Sequence, residues 1–370
     1  MKKFLSIVIA VVVLSSCCVA FAGEKLIEAT GSYVMDSRLD ETPASATNRA
    51  REEAKRIAVE KAGVYVETYS KSIDFELDSD IVQTVAARLL KIQEETNGVE
   101  VIEKNLLQFT VTIKALVNEI NEADLKTMMK DKQSLEELTR KNKEIQEKYD
   151  ELKAEMDKYA KEFDSANEEQ KTEIKKQVAR NSEKFLAVQA MEQANNFHFA
   201  KDYAQAVSAY TEAITLNPKL AEAYNNRGIA KTELGQYTSA IEDYTTAIKL
   251  KNNFADALNN RGNAYAATEQ YQKAVKDLQA AVNLQDNSAT IHNNLGSVYF
   301  LIKNVDAAIK EYTRALQINP SYSEAFYNRA VAHYVQGNLI QSLLDMKAAM
   351  NLNPTDAATI EFYNKISRQK

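Results

Sequence analysis

The chain has 370 residues, of which 45% are hydrophobic and 26% are charged, with a formal net charge of −6 at pH 7. This length allows more than one domain. The acidic balance, with no basic stripe along the chain, argues against nucleic acid as a partner.

The first 22 residues have the organisation of a signal peptide. Lys2 and Lys3 precede an apolar run from Phe4 to Leu14, and Ala20-Phe21-Ala22 is a small-x-small cleavage site. The apolar run is about 11 residues long, too short to span a bilayer as a mature anchor. The sequence therefore predicts residues 1–22 as a signal peptide and an extracytoplasmic location, in the periplasm or cell envelope.

Both cysteines, Cys17 and Cys18, lie in this segment. Leu14-Ser15-Ser16-Cys17 resembles a bacterial lipobox, and this resemblance implies an alternative in which Cys17 is lipidated and anchors the protein to the outer membrane. After cleavage at Ala22 the mature chain has no thiol, so the fold must depend on packing without disulfides.

The hydrophobic pattern of residues 23–120 predicts a small α+β domain with helices on one face of an antiparallel sheet. Alternating apolar residues predict strands, and apolar residues at three- and four-residue spacing predict helices. The predicted elements are a strand over Leu26–Met35, a helix from the Thr42-Pro43 cap to Gly63, a strand over Val64–Tyr69, a helix over Ser79–Ile92, a turn at Asn97-Gly98, and strands over Val99–Glu103 and Leu106–Val117.

This region also resembles the N-terminal domain of flagellar assembly protein T and related small outer-membrane lipoproteins. The matching segments run from Ala29 to Met35, from Ala50 to Ala58, from Glu60 to Glu67 and from Asp80 to Val82. The resemblance implies an envelope-associated assembly module without catalytic residues.

Residues 121–186 are rich in charge and predict a long helix or coiled coil. Apolar residues return on a seven-residue pattern, which is typical of a coiled-coil seam. If this seam pairs with a second copy, residues 125–166 form a homo-oligomeric stalk. Two alternatives remain: a lone helical spacer, or an intrachain hairpin that breaks near Asp164-Ser165-Ala166-Asn167. The two heptad positions are Met128, Leu135, Tyr149, Met156 and Phe163, and Leu138, Ile145, Leu152, Tyr159 and Ala166.

Residues 187–356 repeat with a 34-residue period five times without a gap. Small residues recur where two helices approach closely, and large residues recur between them. A proline near the end of several units stops the second helix, because proline cannot donate the next hydrogen bond. The aligned columns include Ala206, Ala240, Ala274, Ala308 and Ser342, and Tyr210, Tyr244, Leu278, Tyr312 and Met346.

This pattern resembles the tetratricopeptide repeat, including the pairs Arg227-Gly228, Arg261-Gly262 and Leu295-Gly296. The usual tryptophan at the fourth position is absent. The resemblance implies a mostly α fold in which helix pairs stack into an α-solenoid with one continuous core. We expect residues 357–370 to form a capping helix on the last repeat.

An asparagine row runs through repeats two to five at the fifth and sixth positions of each first helix. Superhelical tetratricopeptide domains that bind extended peptides have a similar ladder, so the resemblance implies a peptide-binding concave groove. Amide side chains match the donor and acceptor of a peptide unit. The alternative is that these amides only bond the neighbouring helix. The row comprises Asn225, Asn226, Asn259, Asn260, Asn293, Asn294 and Asn328.

Toward the C-terminal end the predicted groove becomes apolar, with Phe300, Tyr327 and Tyr334 as candidate anchors for a hydrophobic side chain. The first repeat has Glu192 at the sixth position, so the ladder is expected to start at repeat two.

Catalytic signatures are absent from the sequence. His198, His292 and His333 have no carboxylate or cysteine at ligand spacing, and no phosphate-binding glycine loop or nucleophile elbow occurs. We therefore expect no enzyme activity, cofactor or metal. The sequence favours an exported adaptor that binds another protein or an extended peptide, with a structural envelope protein as the alternative.

Overall fold

The computed structural model describes residues 25–72, 77–118, 125 and 132–367. The predicted signal peptide and Cys17 lie outside these residues. Contacts divide the chain into two compact units, one up to Lys143 and one from Glu144 onward. Among the described helices, none combines the length and the apolar character that crossing a bilayer requires.

The first unit contains a three-stranded antiparallel sheet in the order β1-β3-β2. The strands are β1 (Lys25–Asp36), β2 (Leu90–Glu103) and β3 (Leu106–Val117). Alternate side chains of the central strand β3 are buried, because successive residues of a strand point to opposite faces. The buried set is Phe109, Val111, Ile113, Ala115 and Val117.

Two helices, α1 (Pro43–Ser72) and α2 (Ser79–Leu89), follow a 3-10 turn at Ser37–Leu39. Helix α1 lies directly on the strand backbone: a Cβ placed on Gly31 would collide with the Ala50 carbonyl oxygen. Both helices belong to the core that covers β3. The small α+β arrangement with helices on one face of the sheet thus agrees with the expectation from sequence.

Three predicted boundaries in this unit are wrong. Val64–Tyr69 continues helix α1, because the four-residue alanine spacing runs on through Ala62 to the buried Val66. Asn97-Gly98 lies within β2, and the hairpin instead turns at Lys104-Asn105. Helix α2 ends at Leu89, and β2 starts at the next residue.

The charged region forms two helices, α3 (Lys132–Phe163) and α4 (Glu168–Phe199). The chain reverses at residues 164–167, where Asn167 and Gln170 form a capping box for α4. Ile145, Tyr149 and Leu152 of the heptad pattern pack against Phe185 and Val188 of α4. The described residues 132–199 therefore form the intrachain hairpin, and no coiled-coil stalk is seen among them.

The repeats are regular helix pairs, and α4 supplies the first helix of repeat 1. The capping helix predicted after residue 356 is present as α14. The remaining helices are α5 (Tyr203–Leu216), α6 (Ala221–Glu233), α7 (Tyr237–Leu250), α8 (Ala255–Ala267), α9 (Tyr271–Leu284), α10 (Ala289–Leu301), α11 (Val305–Ile318), α12 (Ser323–Val335), α13 (Leu339–Leu352) and α14 (Ala357–Ser367).

Small and large residues interlock within each repeat. A Cβ on Gly228 would lie 2.6 Å from the ring of Tyr244, and one on Gly296 would lie 2.7 Å from the ring of Tyr312. Both tyrosines are essentially fully buried. The aromatic ring of the second helix therefore packs directly against the glycine of the first helix.

An arginine at the seventh position of a first helix joins three helices. Arg227 donates to both carboxylate oxygens of Asp243 in its own repeat, at 2.9 and 2.6 Å, and to Thr211 of the preceding repeat at 3.0 Å. Arg261 and Arg329 make the equivalent bonds in repeats 3 and 5. We call this arrangement the arginine clip. Repeat 4 has Leu295 at this position and lacks it.

Candidate peptide-binding groove

The fifth- and sixth-position asparagines form hydrogen bonds between successive first helices. The sixth-position Nδ2 donates to the fifth-position Oδ1 of the preceding repeat in three equivalent bonds. These bonds are Asn260 to Asn225 at 3.1 Å, Asn294 to Asn259 at 2.8 Å, and Asn328 to Asn293 at 3.0 Å. The asparagine row is thus a connected structure, which we call the amide ladder.

Two further bonds within repeats extend the ladder toward its N-terminal end. Asn259 donates to Asn260 at 3.4 Å, and Asn225 donates to Asn226 at 3.3 Å. Asn226 then donates to Asn195 of repeat 1 at 3.5 Å. The side-chain amides therefore run in one series from repeat 4 to repeat 1.

Burial divides the ladder into two kinds of residue. Asn225, Asn226 and Asn293 are 6%, 8% and 1% exposed, respectively. These three amides therefore offer little surface to a partner, and their hydrogen bonds hold neighbouring amides in place. The remaining ladder residues Asn259, Asn260, Asn294 and Asn328 are partly exposed.

The partly exposed part of the ladder has free acceptors. Asn294 and Asn328 each donate one hydrogen bond, but within the described residues neither Oδ1 accepts one. Asn263, one helical turn beyond Asn259, is partly exposed and makes no side-chain hydrogen bond to any described residue. Its counterpart in repeat 1, Asn195, accepts from the ladder, so the ninth position lies on the same face. Asn263 is not among the residues predicted from sequence, because the predicted row contains only fifth and sixth positions.

The N-terminal end of this face is covered by helix α3. The Tyr149 hydroxyl donates to Glu192 at 2.9 Å, and Val188 of repeat 1 is buried against Tyr149 and Ile145. The sixth position of repeat 1 is therefore occupied by the chain itself. At the fifth and sixth positions the ladder begins in repeat 2, and its last bond reaches Asn195 of repeat 1.

The C-terminal end is covered by the capping helix α14. The ring of Phe362 lies 6.2 Å from the ring of Tyr327 and 5.4 Å from that of Tyr334. Phe362 stands where a sixth position of a further repeat would fall, so this aromatic contact replaces the amide bond of the other repeats. Both predicted anchors are thus packed by the chain itself, and Phe300 packs beside the core of repeat 4.

The histidines serve packing and local bonding. His292 is buried, with its Nδ1 2.7 Å from a Glu311 carboxylate oxygen and its Nε2 3.1 Å from the Asp286 carbonyl oxygen. Burial lowers the pKa of His333, which favours its neutral form. Within the described part of the chain, no group of three or more His, Cys, Asp or Glu residues is arranged to hold a metal ion.

Family models identify the repeats. A tetratricopeptide repeat model matches residues 187–220, a second matches 209–242, and a third matches 230–269, 262–303 and 296–337. Tetratricopeptide repeats are therefore confirmed in this chain, as the 34-residue period predicted. The resemblance of the N-terminal region to flagellar assembly protein T is not supported.

Several solved structures have a similar repeat region. The crystal structure of MamA is 24% identical over 45% of this chain and 96% of its own, with a TM-score of 0.41. YrrB, described as a TPR protein with an unusual peptide-binding site, is 22% identical over 51% of this chain and 96% of its own, with a TM-score of 0.42. PilF from Pseudomonas aeruginosa is 17% identical over 51% and 85%, with a TM-score of 0.47. No curated protein shows significant similarity to the chain.

Proposed function

We propose that the chain is an exported protein–protein interaction adaptor whose concave groove binds an extended polypeptide segment. Tetratricopeptide repeats are typical of interaction scaffolds rather than of catalysts. The observation that carries the proposal is the pair of free acceptors on Asn294 and Asn328, beside the unbonded amide of Asn263.

These amides suit a peptide backbone because each offers both a donor and an acceptor. The bond from Asn294 to Asn259 at 2.8 Å holds the Asn294 side chain in one orientation. A preorganised amide loses little conformational freedom when a partner binds, which favours affinity. The groove therefore holds a partner mainly through its main chain.

The test separates binding from packing. Asn263→Ala combined with Asn294→Ala removes amides that support no buried group, since Asn259, the acceptor of Asn294, is itself partly exposed. With the whole chain and a library of immobilised short peptides, we expect peptide binding to fall about 30-fold, at about 1 kcal/mol for each of two hydrogen bonds. The midpoint of thermal unfolding should stay nearly unchanged.

The matched control is Asn283→Ala combined with Asn351→Ala. Both asparagines are exposed on second helices, away from the ladder. This control should leave both binding and unfolding unchanged. If the ladder variant unfolds several degrees lower while it binds the library equally well, the amides serve packing and the adaptor proposal fails.

The proposal includes export and a role in cell-envelope assembly. The organisation of residues 1–22 supports export, and an exported adaptor would act in the cell envelope. The mass of the protein isolated from its host distinguishes cleavage after Ala22 from lipidation at Cys17. A mass that retains residues 1–22 without lipid would contradict export.

A homo-oligomer through residues 125–166 is not included in the proposal. Ile145, Tyr149 and Leu152 of that pattern are buried against helix α4, so they offer no seam to a second copy. The structural envelope protein remains the alternative function. Light scattering on the whole chain tests it, because an assembly built on this region must be oligomeric.

A further inference from the structure

The second position of the first helices carries acids along one border of the amide ladder. Glu222, Asp256 and Glu324 occupy this position in repeats 2, 3 and 5, and Thr290 occupies it in repeat 4. Asn293 of the ladder donates to Glu324 at 3.1 Å, which shows that the second position adjoins the ladder. Asp256 and Glu324 are exposed.

The cations of the same helices are already paired. Arg227, Arg261 and Arg329 bind aspartates of the second helices through the arginine clip. Lys231 lies 2.8 Å from Asp243. Within residues 221–335, all of which the structure describes, Asp256 has no ion-pair partner. The border of the groove therefore carries uncompensated negative charge.

The chain itself supplies a cation to the first of these acids. Burial alone would raise the pKa of Glu222, but its backbone hydrogen bond and the charges of Lys148 and Lys251 hold the pKa below its ordinary value. Lys251 Nζ lies 3.2 Å from Glu222 Oε1, so a lysine of the same repeat is the ion-pair partner of this position in repeat 2.

The repeat spacing sets the spacing of a ligand. Side chains of neighbouring first helices are within hydrogen-bond distance, and helices packed this closely lie about 8–10 Å apart. An extended peptide rises about 3.3 Å per residue. One repeat therefore corresponds to about three residues of an extended partner.

We propose that the groove selects an extended segment with a lysine or arginine at about every third residue, its main chain on the amide ladder and its cations on Asp256 and Glu324. This inference depends on the proposed peptide-binding function and names the class of peptide. The bound cations take the place that Lys251 takes at Glu222. Thr290 leaves one position of the series without a charge requirement.

The probes are three synthetic peptides of about twelve residues, long enough to pass the acids of repeats 2 to 5. One has lysine at every third residue, an isomer has the same lysines in one block, and the third has glutamine in place of lysine. Fluorescence anisotropy with the whole chain should show the spaced-lysine peptide binding tightest and the glutamine peptide weakest. Raising the salt concentration should weaken only the two lysine peptides appreciably.

The decisive variant is Asp256→Asn combined with Glu324→Gln, which keeps side-chain shape and removes two charges. It should weaken the binding of the spaced-lysine peptide about tenfold, because each exposed ion pair contributes up to about 1 kcal/mol. The control, Glu212→Gln with Glu242→Gln, removes two exposed charges from second helices and should change affinity less than twofold.

If the glutamine peptide binds as tightly as the spaced-lysine peptide, and Asp256→Asn with Glu324→Gln changes neither affinity, the selectivity is overturned while the adaptor function stands. If the control weakens binding as much as the groove variant, attraction is due to overall charge and the selectivity is likewise overturned. If no peptide shows binding that depends on Asn263 and Asn294, both the selectivity and the groove function fail.

Discussion

Repeats 2 and 4 carry the same pair of asparagines and use it differently. In repeat 2, Asn225 donates to Asn226 at 3.3 Å and both are buried. In repeat 4, Asn293 donates instead to Glu324, and Asn294 is partly exposed with a free acceptor. Asn226 also donates to Asn195 of the preceding repeat at 3.5 Å, whereas among the described residues Asn294 bonds Asn259 alone. The sixth-position amide is therefore buried in repeat 2 and available to a partner in repeat 4, while the fifth-position amide is buried in both.

The largest expected effect comes from breaking the buried end. Asn225→Ala removes a donor to Asn226 and an acceptor of Asn260 at a site that is 6% exposed. We expect the free energy of unfolding to fall by about 1–3 kcal/mol, because a buried polar group is left unpaired. Chemical denaturation measures this loss.

The comparison variant is Asn259→Ala in repeat 3. Asn259 makes the equivalent bonds, but it is partly exposed, so water replaces them. Its expected loss is less than about 1 kcal/mol. Equal losses for the two variants would contradict the division of the ladder into buried and accessible parts.

A smaller effect is expected at the capped end. Phe362→Ala removes the ring that packs on Tyr327 and Tyr334. Because Phe362 is only partly buried, we expect a loss of about 1–2 kcal/mol rather than the larger value of a core phenylalanine. Hydrogen exchange should localise the loss to α12 and α14. The exposed neighbour Glu361→Ala is the control, and exchange that is equally fast in both variants would rule out a capping role for the ring.

The smallest effect sharpens the contrast between the two ends. Lys148→Ala removes one of the two lysine charges that act on Glu222, so a lysine of a ligand meets less repulsion there, while Lys251 keeps its ion pair with Glu222 at 3.2 Å. Affinity for the spaced-lysine peptide should rise about twofold, consistent with the small energy of exposed ion pairs. Lys153→Ala, at an exposed position of the same helix, should not change affinity. A fall in affinity for Lys148→Ala would show that helix α3 supports the groove rather than competing for it.

The repeat fold could be predicted because small and aromatic residues recur with the repeat period. These residues pack against others that are near in the chain. The strand predicted at Val64–Tyr69 was wrong for a different reason. β-branched and aromatic residues favour strands, but the buried stripe that ends at Val66 requires helix, and burial outweighs propensity. The sequence did not decide whether the helix reverses at residues 164–167, because the same heptad pattern can pair with another copy or with its own chain.

The groove was only partly predictable. The amide row follows from register, but which amides are buried depends on neighbours 35 residues away, such as Asn225 beneath Asn260. The covering of Tyr327 by Phe362 depends on where α14 docks, which periodicity does not give. Asn263 could have been found by comparing the ninth position of each first helix.

Repeat 4 has an apolar junction in place of the arginine clip. Clips join repeat 1 to 2, 2 to 3 and 4 to 5, whereas the buried Leu295 stands at the clip position of repeat 4. Leu295 packs with Leu278 and Val282 of repeat 3 in one hydrophobic cluster. In a linear array, stability is close to a sum over individual repeats and the junctions between neighbours. Salt screens ion pairs but not apolar contacts, so rising ionic strength should weaken the clipped junctions more than the junction between repeats 3 and 4.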